Sequence, residues 1–180
     1  GQYDSPEFKK QTEQRNKSAQ QAFDTLGIKE VRFGTRLCGQ FDMIPILELA
    51  KEIETYIDTF EPTMLFTHNP SEVNIDHRIT YKAVEIACRP TRPSVPKAIY
   101  AFEIVCSGSW TFDTSFKPSV YVDITDFWDM KLKAWRCYEG EGRPFPFPRS
   151  DTGLETLAQY RGMACSLRKA EAFRLIRQVV

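Results

Sequence analysis

Apolar residues recur along the chain with the periods of helices and of strands. Ser5 and Pro6 are typical of a helix start, and Gly27 is typical of a helix end. Apolar side chains three or four positions apart indicate an amphipathic helix between Pro45 and Phe60. The predicted helices are Pro6–Leu26, Pro45–Phe60, Asp76–Cys88, Thr125–Tyr138 and a last helical region that begins at Ser150–Asp151 and breaks near Ser166.

Short apolar runs between these helices predict strands. The predicted strands are Ile28–Phe33, Met64–Phe66, Lys97–Val105 and Val120–Val122. Three prolines between Pro144 and Pro148 exclude regular structure there. Strands that alternate with helices predict an α/β fold, with a mostly parallel sheet and helices on both faces, and the later strands could include an antiparallel edge. Because the chain has no internal repeat and no change of composition, one domain spanning residues 1–180 is predicted.

Composition narrows the class of protein. Lysine and arginine (24) balance aspartate and glutamate (24), so no electrostatic argument favours nucleic acid or an anionic membrane as a partner. No run of apolar residues is long enough for a membrane span. The five cysteines are scattered without a Cys-x-x-Cys pair, which predicts reduced thiols in a cytoplasmic protein. The chain begins at Gly1 on helix-like sequence, so we expect a piece of a longer protein.

The only two histidines of the chain lie nine residues apart, at a predicted junction between a strand and a helix. Catalytic groups in open α/β sheets collect at such strand ends, and imidazole is a common metal ligand. His77 is therefore a candidate metal ligand, with Asp76 beside it. The alternative is that Asp76 only caps the helix and His77 lies on the surface. His68 either approaches the same site or is solvated.

Further candidates carry weaker signals. Arg15 and Arg149 could bind hydroxyls, phosphates or carboxylates, or could be ordinary solvated charges. Aromatic residues in loops could form a wall against a sugar ring or cover the edge of the core: Trp110, Phe145 and Phe147. A catalytic zinc site usually takes three protein ligands, and only His77 is a persuasive one. The chain has no His-Glu-x-x-His, Gly-x-Ser-x-Gly or phosphate-binding glycine motif.

The order and spacing of several motifs resemble a known family. Asn74-Ile75-Asp76-His77-Arg78 is similar to a His-Pro-Asp-His segment in its bacterial Asn-x-Asp-His-Arg form. The chain thereby resembles the LmbE-like/PIG-L metal-dependent N-deacetylases, which include N-acetylglucosaminyl-phosphatidylinositol de-N-acetylases. The other matching segments are Thr67–His68, Ala87–Pro90, Val122–Asp126, Phe147–Ser150, Tyr160–Gly162 and Ala170–Phe173.

The resemblance implies a Rossmann-like fold and hydrolysis of an N-acetyl group on an amino sugar, with an N-acetylglucosamine conjugate as substrate. The implied cofactor is Zn²⁺ or another divalent metal, bound by His77. Asp76 and Asn74 take the catalytic positions, Asn74 as a donor to the oxyanion. Arg15 and Arg149 take substrate-binding positions.

The chain also departs from the family pattern. The opening strand with Ala-His-Pro-Asp-Asp-Glu, which supplies two metal ligands and the general base, is absent, so those ligands are expected from an N-terminal segment outside this chain. Asn74 and Phe147 stand where many members have histidine. The alternatives are a catalytically inactive, LmbE-like sugar-binding or scaffold protein, and an amidase with a non-sugar substrate. Homo-oligomerisation stays open.

Overall fold

A computed structural model describes residues 5–92, 94–112 and 115–180 of the chain. These residues form α-helices, β-strands and two short 3-10 helices, at Phe41–Met43 and Thr125–Phe127. The helices are α1 (Pro6–Leu26), α2 (Ile46–Phe60), α3 (Ile75–Ala87), α4 (Trp128–Arg136) and α5 (Asp151–Met163). The strands are β1 (Met64–His68), β2 (Ala98–Phe102), β3 (Val120–Asp123) and β4 (Ala170–Gln178).

The chain divides into two compact units, and the first comprises Gly1–Leu37 and Asp123–Glu171. Helix α1 has the predicted bounds, because Ser5 caps its start by accepting from Phe8 N at 3.2 Å and Gly27 ends it with φ 71°. Ser150 caps α5 in the same way, accepting from Gly153 N at 2.9 Å. A hydrophobic cluster in this unit joins Ile124, which precedes the second 3-10 helix, to apolar side chains of α4 and α5: Trp128, Leu132, Leu154 and Ala158.

The second unit comprises Cys38–Val122 and Ala172–Val180 and contains nearly all of the sheet. Helices α2 and α3 pack against each other and against one face of the sheet, where burial of apolar side chains is the main stabilising term. The core residues on this face are Ile57 of α2, Val84, Ala87 and Cys88 at α3, and Ile99 of β2. The prediction of helices on both faces stays a prediction.

The four strands lie in the order β1-β2-β4-β3. Strands β1 and β2 are parallel, whereas β2 and β4 are antiparallel. Backbone hydrogen bonds from Ser119 N to Phe173 O (2.9 Å) and from Ile124 N to Lys169 O (3.1 Å) run in the antiparallel sense along β3 and β4. The predicted mostly parallel, Rossmann-like sheet is therefore wrong. The fold is a mixed α/β fold, and among the strands of the described residues only the β1–β2 pair is parallel.

Strand β4 causes this difference. The sequence predicted helical structure from Ser150 onward, but α5 ends at Met163 and the chain after the break near Ser166 returns as β4 between β2 and β3. Residues such as Glu171 and Arg174 favour helices in isolation, and tertiary strand pairing overrides that preference. The segment 28–33 also forms no strand among the described residues, and Ile28 and Phe33 remain 44% and 42% exposed.

The structure also shows the state of the cysteines and whether any described helix could span a membrane. All five cysteines are free in the structure. Among the described residues, no helix is both long and apolar enough to cross a membrane. The prediction of a single domain is not decided by the two compact units and stays a prediction.

Candidate active site

The candidate site lies where β1 ends and α3 begins. His68 is the last residue of β1, and His77 lies in the first turn of α3. Asn74 is the N-cap of α3, and its side-chain oxygen accepts a hydrogen bond from Asp76 N at 2.9 Å. This cap fixes the direction in which α3 leaves the loop and so sets the position of His77.

A buried carboxylate holds the His77 ring. The Nδ1 atom of His77 lies 3.2 Å from Glu72 Oε2, and the Glu72 side chain is 0% exposed whereas that of His77 is 20% exposed. Ser107 donates its hydroxyl to the same carboxylate oxygen. A neutral imidazole whose Nδ1–H donates to a carboxylate keeps the lone pair on Nε2, which can then bind a metal or a proton.

The second histidine stacks on the first. The rings of His68 and His77 have centroids 4.1 Å apart and lie within 2° of parallel. Burial of the His68 ring, assisted by the neighbouring His77, lowers the pKa of His68 from 6.5 to about 4, although Glu72 acts in the opposite direction. The buried Nδ1 atom of His68 has no hydrogen-bond partner in the described part of the chain. His68 is therefore neutral near pH 7.

The Asp76 carboxylate faces a different segment. One oxygen accepts from Gly39 N and the other accepts from Phe41 N at 3.0 Å, and the residue is only 7% exposed. Asp76 thus ties the loop that precedes α2 to the start of α3. Both carboxylate oxygens therefore accept from backbone N–H groups. The predicted catalytic role of Asp76 stays a prediction.

Within the part of the chain that the structure describes, the histidines and carboxylates do not complete a metal site. Across residues 5–92, 94–112 and 115–180, no group of three or more His, Cys, Asp or Glu side chains is arranged to hold a metal ion. His77 fits one ligand position, since Glu72 orients its ring and the tautomer that donates Nδ1–H to Glu72 leaves Nε2 for a metal. The residues present therefore fit the implied zinc only in part.

The two predicted substrate-binding arginines lie in the first unit and share a partner. Arg15 Nε is 3.8 Å from Glu141 Oε1, and Arg149 Nη1 is 3.0 Å from Glu141 Oε2. Arg15 also lines a cavity of about 440 Å³ together with polar residues, which include Gln11, Gln14, Ser18 and Tyr138. Arg15 and Arg149 thus form one group, and Asn74, Asp76 and His77 form another in the second unit.

Two residues around His77, Glu72 and Ser107, were not predicted from the sequence. A carboxylate five residues before His77, in a loop between a strand and a helix, was a signal that could have found Glu72. Ser107 has no such local signal, because it reaches Glu72 from 35 positions away in sequence.

Comparisons with known proteins point to the same family as the sequence motifs. The sequence model of the family described as PIG-L, GlcNAc-PI de-N-acetylase, matches residues 1–88. No match was found among curated proteins. The resemblance predicted from the motifs is confirmed, since residues 1–88 match the PIG-L, or LmbE-like, family.

Solved structures share the fold. The N,N'-diacetylchitobiose deacetylase from Pyrococcus horikoshii is 22% identical with a TM-score of 0.70, over 91% of this chain and 63% of that chain. A conserved protein from Thermus thermophilus is 20% identical with a TM-score of 0.67, over 93% and 75%. The A40926 pseudoaglycone deacetylase Dbv21 is 18% identical with a TM-score of 0.65, over 93% and 72%. The chain thus spans less than two thirds of the Pyrococcus protein.

Proposed function

We propose that the chain is part of a metal-dependent N-deacetylase that removes the acetyl group from an N-acetylglucosamine-containing substrate. The observation that carries this proposal is the His77 ring held by the fully buried Glu72 after the end of β1, within the residues that match the PIG-L family. A buried carboxylate on Nδ1 is the usual outer partner of a metal-binding histidine.

In this proposal His77 supplies one ligand through Nε2, and two further ligands come from an N-terminal segment outside this chain. A divalent metal, with Zn²⁺ as the first candidate, would polarise the acetamide carbonyl and make a bound water acidic. Glu72 and Ser107 keep the His77 ring in one orientation, which is a prerequisite for a defined ligand geometry.

The other predicted site residues take roles that their contacts support. The Asn74 oxygen accepts from the helix amide, so its NH₂ group remains the donor for an oxyanion. Asp76 positions the Gly39–Phe41 segment, and its two backbone contacts favour this role over proton transfer. Arg15 and Arg149, grouped around Glu141, bind substrate hydroxyls.

The test compares this chain with a version extended upstream by the strand that carries His-Pro-Asp-Asp. Metal content and acetate release from an N-acetylglucosamine conjugate are measured for both lengths. The 180-residue chain should bind zinc poorly and release little acetate, because a single histidine cannot complete the site. The extended protein should bind one zinc and release acetate, and His77→Ala should abolish both. Stoichiometric zinc and turnover in the short chain would contradict this ligand assignment.

A substitution at Glu72 tests whether its contact with His77 supports metal binding. Glu72→Gln should weaken zinc binding by roughly 10- to 100-fold in the extended protein, since the amide orients the imidazole less well. Glu48→Gln is the matched control, because Glu48 is exposed on α2. Equal zinc affinity in the Glu72→Gln and Glu48→Gln variants would remove Glu72 from the site.

A second candidate function is a catalytically inactive sugar-binding or scaffold protein. It is favoured by the lack, within the described residues, of three or more side chains that could hold a metal together. Saturable binding of the N-acetylglucosamine conjugate by the extended, zinc-supplied protein without acetate release would support this candidate over the enzyme.

A further inference from the structure

A cavity of about 210 Å³ lies in the second unit, between α3 and the face of the sheet that the helices cover. Its walls are mostly apolar, with Val84, Ile99 and Ile176 among them, and Thr67 and Arg177 add polar groups. A single water needs only about 10–15 Å³ of such volume, whereas pockets for drug-sized ligands begin near 300 Å³. The cavity therefore has the size for a small organic molecule.

A β-bulge brings Arg177 to this cavity. The register of β2 and β4 passes from Ile99 opposite Arg177 to Tyr100 opposite Leu175, which leaves Ile176 as the extra residue. Both Ile176 and Arg177 consequently line the cavity. Arg177 Nη1 donates to Cys88 O at 2.9 Å, at the end of α3, so one side of the guanidinium is fixed.

Two polar atoms at the cavity are buried without a partner. Within the part of the chain that the structure describes, neither Arg177 Nη2 nor Thr67 Oγ1 has a hydrogen-bond partner, and Thr67 is only 3% exposed. A buried donor without an acceptor is costly, and the cost is larger for a charged group. The cavity is also lined by an acidic residue, Glu85, whose carboxylate oxygen lies 2.8 Å from Lys82 Nζ.

We propose that this cavity binds a small monocarboxylate with a short apolar chain. The carboxylate accepts from Arg177 Nη2 and from the Thr67 hydroxyl, in the planar geometry that guanidinium groups favour. The hydrocarbon end packs against Val84, Ile99 and Ile176. One guanidinium and apolar walls suit a single negative charge better than a phosphate, which carries more charge and needs more donors.

The site is distinct from the one at His77. Neighbouring residues of a strand direct their side chains to opposite faces, so Thr67 faces the cavity whereas His68 stacks on His77. The proposal does not depend on deacetylation, and it is tested by binding alone.

The experiment titrates the full 180-residue chain with sodium acetate, propionate and butyrate, and follows the methyl NMR signals of Val84, Ile99 and Ile176. Binding should saturate at roughly millimolar concentration and tighten about fourfold per added methylene. Butyramide, which lacks the charge, should bind about tenfold more weakly than butyrate.

Two variants and one control decide between a site and a nonspecific effect. Arg177→Gln and Thr67→Val should each weaken butyrate binding by about tenfold, because each removes one donor to the carboxylate. Arg174→Gln, at an exposed position of the same strand, should leave the affinity unchanged. Thr67→Val removes an unpaired buried hydroxyl and should fold at least as well as the parent, so it decides the question even where Arg177→Gln does not fold.

Three results would overturn the proposal: no saturable butyrate binding, equal binding of butyrate and butyramide, or unchanged affinity in the Thr67→Val variant. The first would mean that water alone satisfies Arg177 Nη2 and Thr67 Oγ1.

Discussion

The neutral, stacked His68 gives the sharpest prediction for the folded chain. Its pKa is lowered from 6.5 to about 4, so between these two pH values the unfolded chain binds a proton at His68 that the folded chain does not. Stability therefore falls as the pH is lowered from 6.5, and this loss is complete below about pH 4. Replacing His68 with phenylalanine keeps a ring against His77 and Phe102 and removes the titrating group.

The size of the effect follows from the two pKa values. Each tenfold difference in the proton-binding constant between the unfolded and the folded chain corresponds to about 1.4 kcal/mol. Full protonation of His68 therefore lowers the free energy of unfolding by on the order of 3 kcal/mol. At neutral pH the parent and His68→Phe should differ little, since the ring is neutral and its Nδ1 has no partner among the described residues. At low pH the variant should be the more stable protein by up to about that amount.

Urea unfolding at several pH values between about 7.5 and 4, in buffer with EDTA, measures the difference in free energy of unfolding. Because the chain has only two histidines, their ring-proton NMR signals can be followed separately, and His68→Phe assigns them. Parallel pH dependence in the parent and the variant would refute the reasoning. A His68 signal that titrates near its ordinary pKa of 6.5 would refute it as well.

Two other predictions concern backbone contacts. Asp76→Asn should lower the free energy of unfolding by about 2 kcal/mol, because an amide has one acceptor oxygen for the two N–H groups that now donate to the carboxylate. The control Asp42→Asn, at an exposed position, should leave the free energy of unfolding unchanged, and equal urea midpoints for the two variants would contradict this. Gly162→Ala should lower the free energy of unfolding by about 1–3 kcal/mol, since the new Cβ would lie 2.5 Å from Leu167 O. In the control Gly34→Ala, the new Cβ would have no atom of the described residues within 4 Å, so stability should hardly change. Thermal unfolding of the two variants measures the difference.

Local signals in the sequence were sufficient for most helices. Ser5, Pro6 and Gly27 define α1 because capping depends on residues a few positions apart. Helix α3 was predicted as Asp76–Cys88 and is observed at Ile75–Ala87, with Asn74 as its cap. In such segments the preferences of single residues and the tertiary structure agree, so local patterns predict the elements correctly.

Strand β4 shows where local signals fail. Its nine residues, AEAFRLIRQ, contain several good helix formers, and only Ala170 and Ala172 are buried in alternation at its start. Their extended form depends on pairing with β2, which is about 75 positions earlier in the chain and so is invisible to a local pattern. Missing this strand also led to the wrong expectation of a mostly parallel sheet.

The candidate site follows the same division between local and distant causes. The spacing of Asp76 and His77 was visible in sequence, but the environment of Glu72 is created by the parallel pairing of β1 with β2, which brings the loops after both strands together. Val73 N donates to Ser107 O at 2.9 Å, and Ser107 in turn donates to Glu72. Gly108 completes this arrangement, since a Cβ there would lie 2.9 Å from Ile104 O and 3.5 Å from Glu72 Oε1. The orientation of His77 is therefore a consequence of strand pairing as much as of its own motif, which is why the histidine was predictable and its carboxylate partner was not.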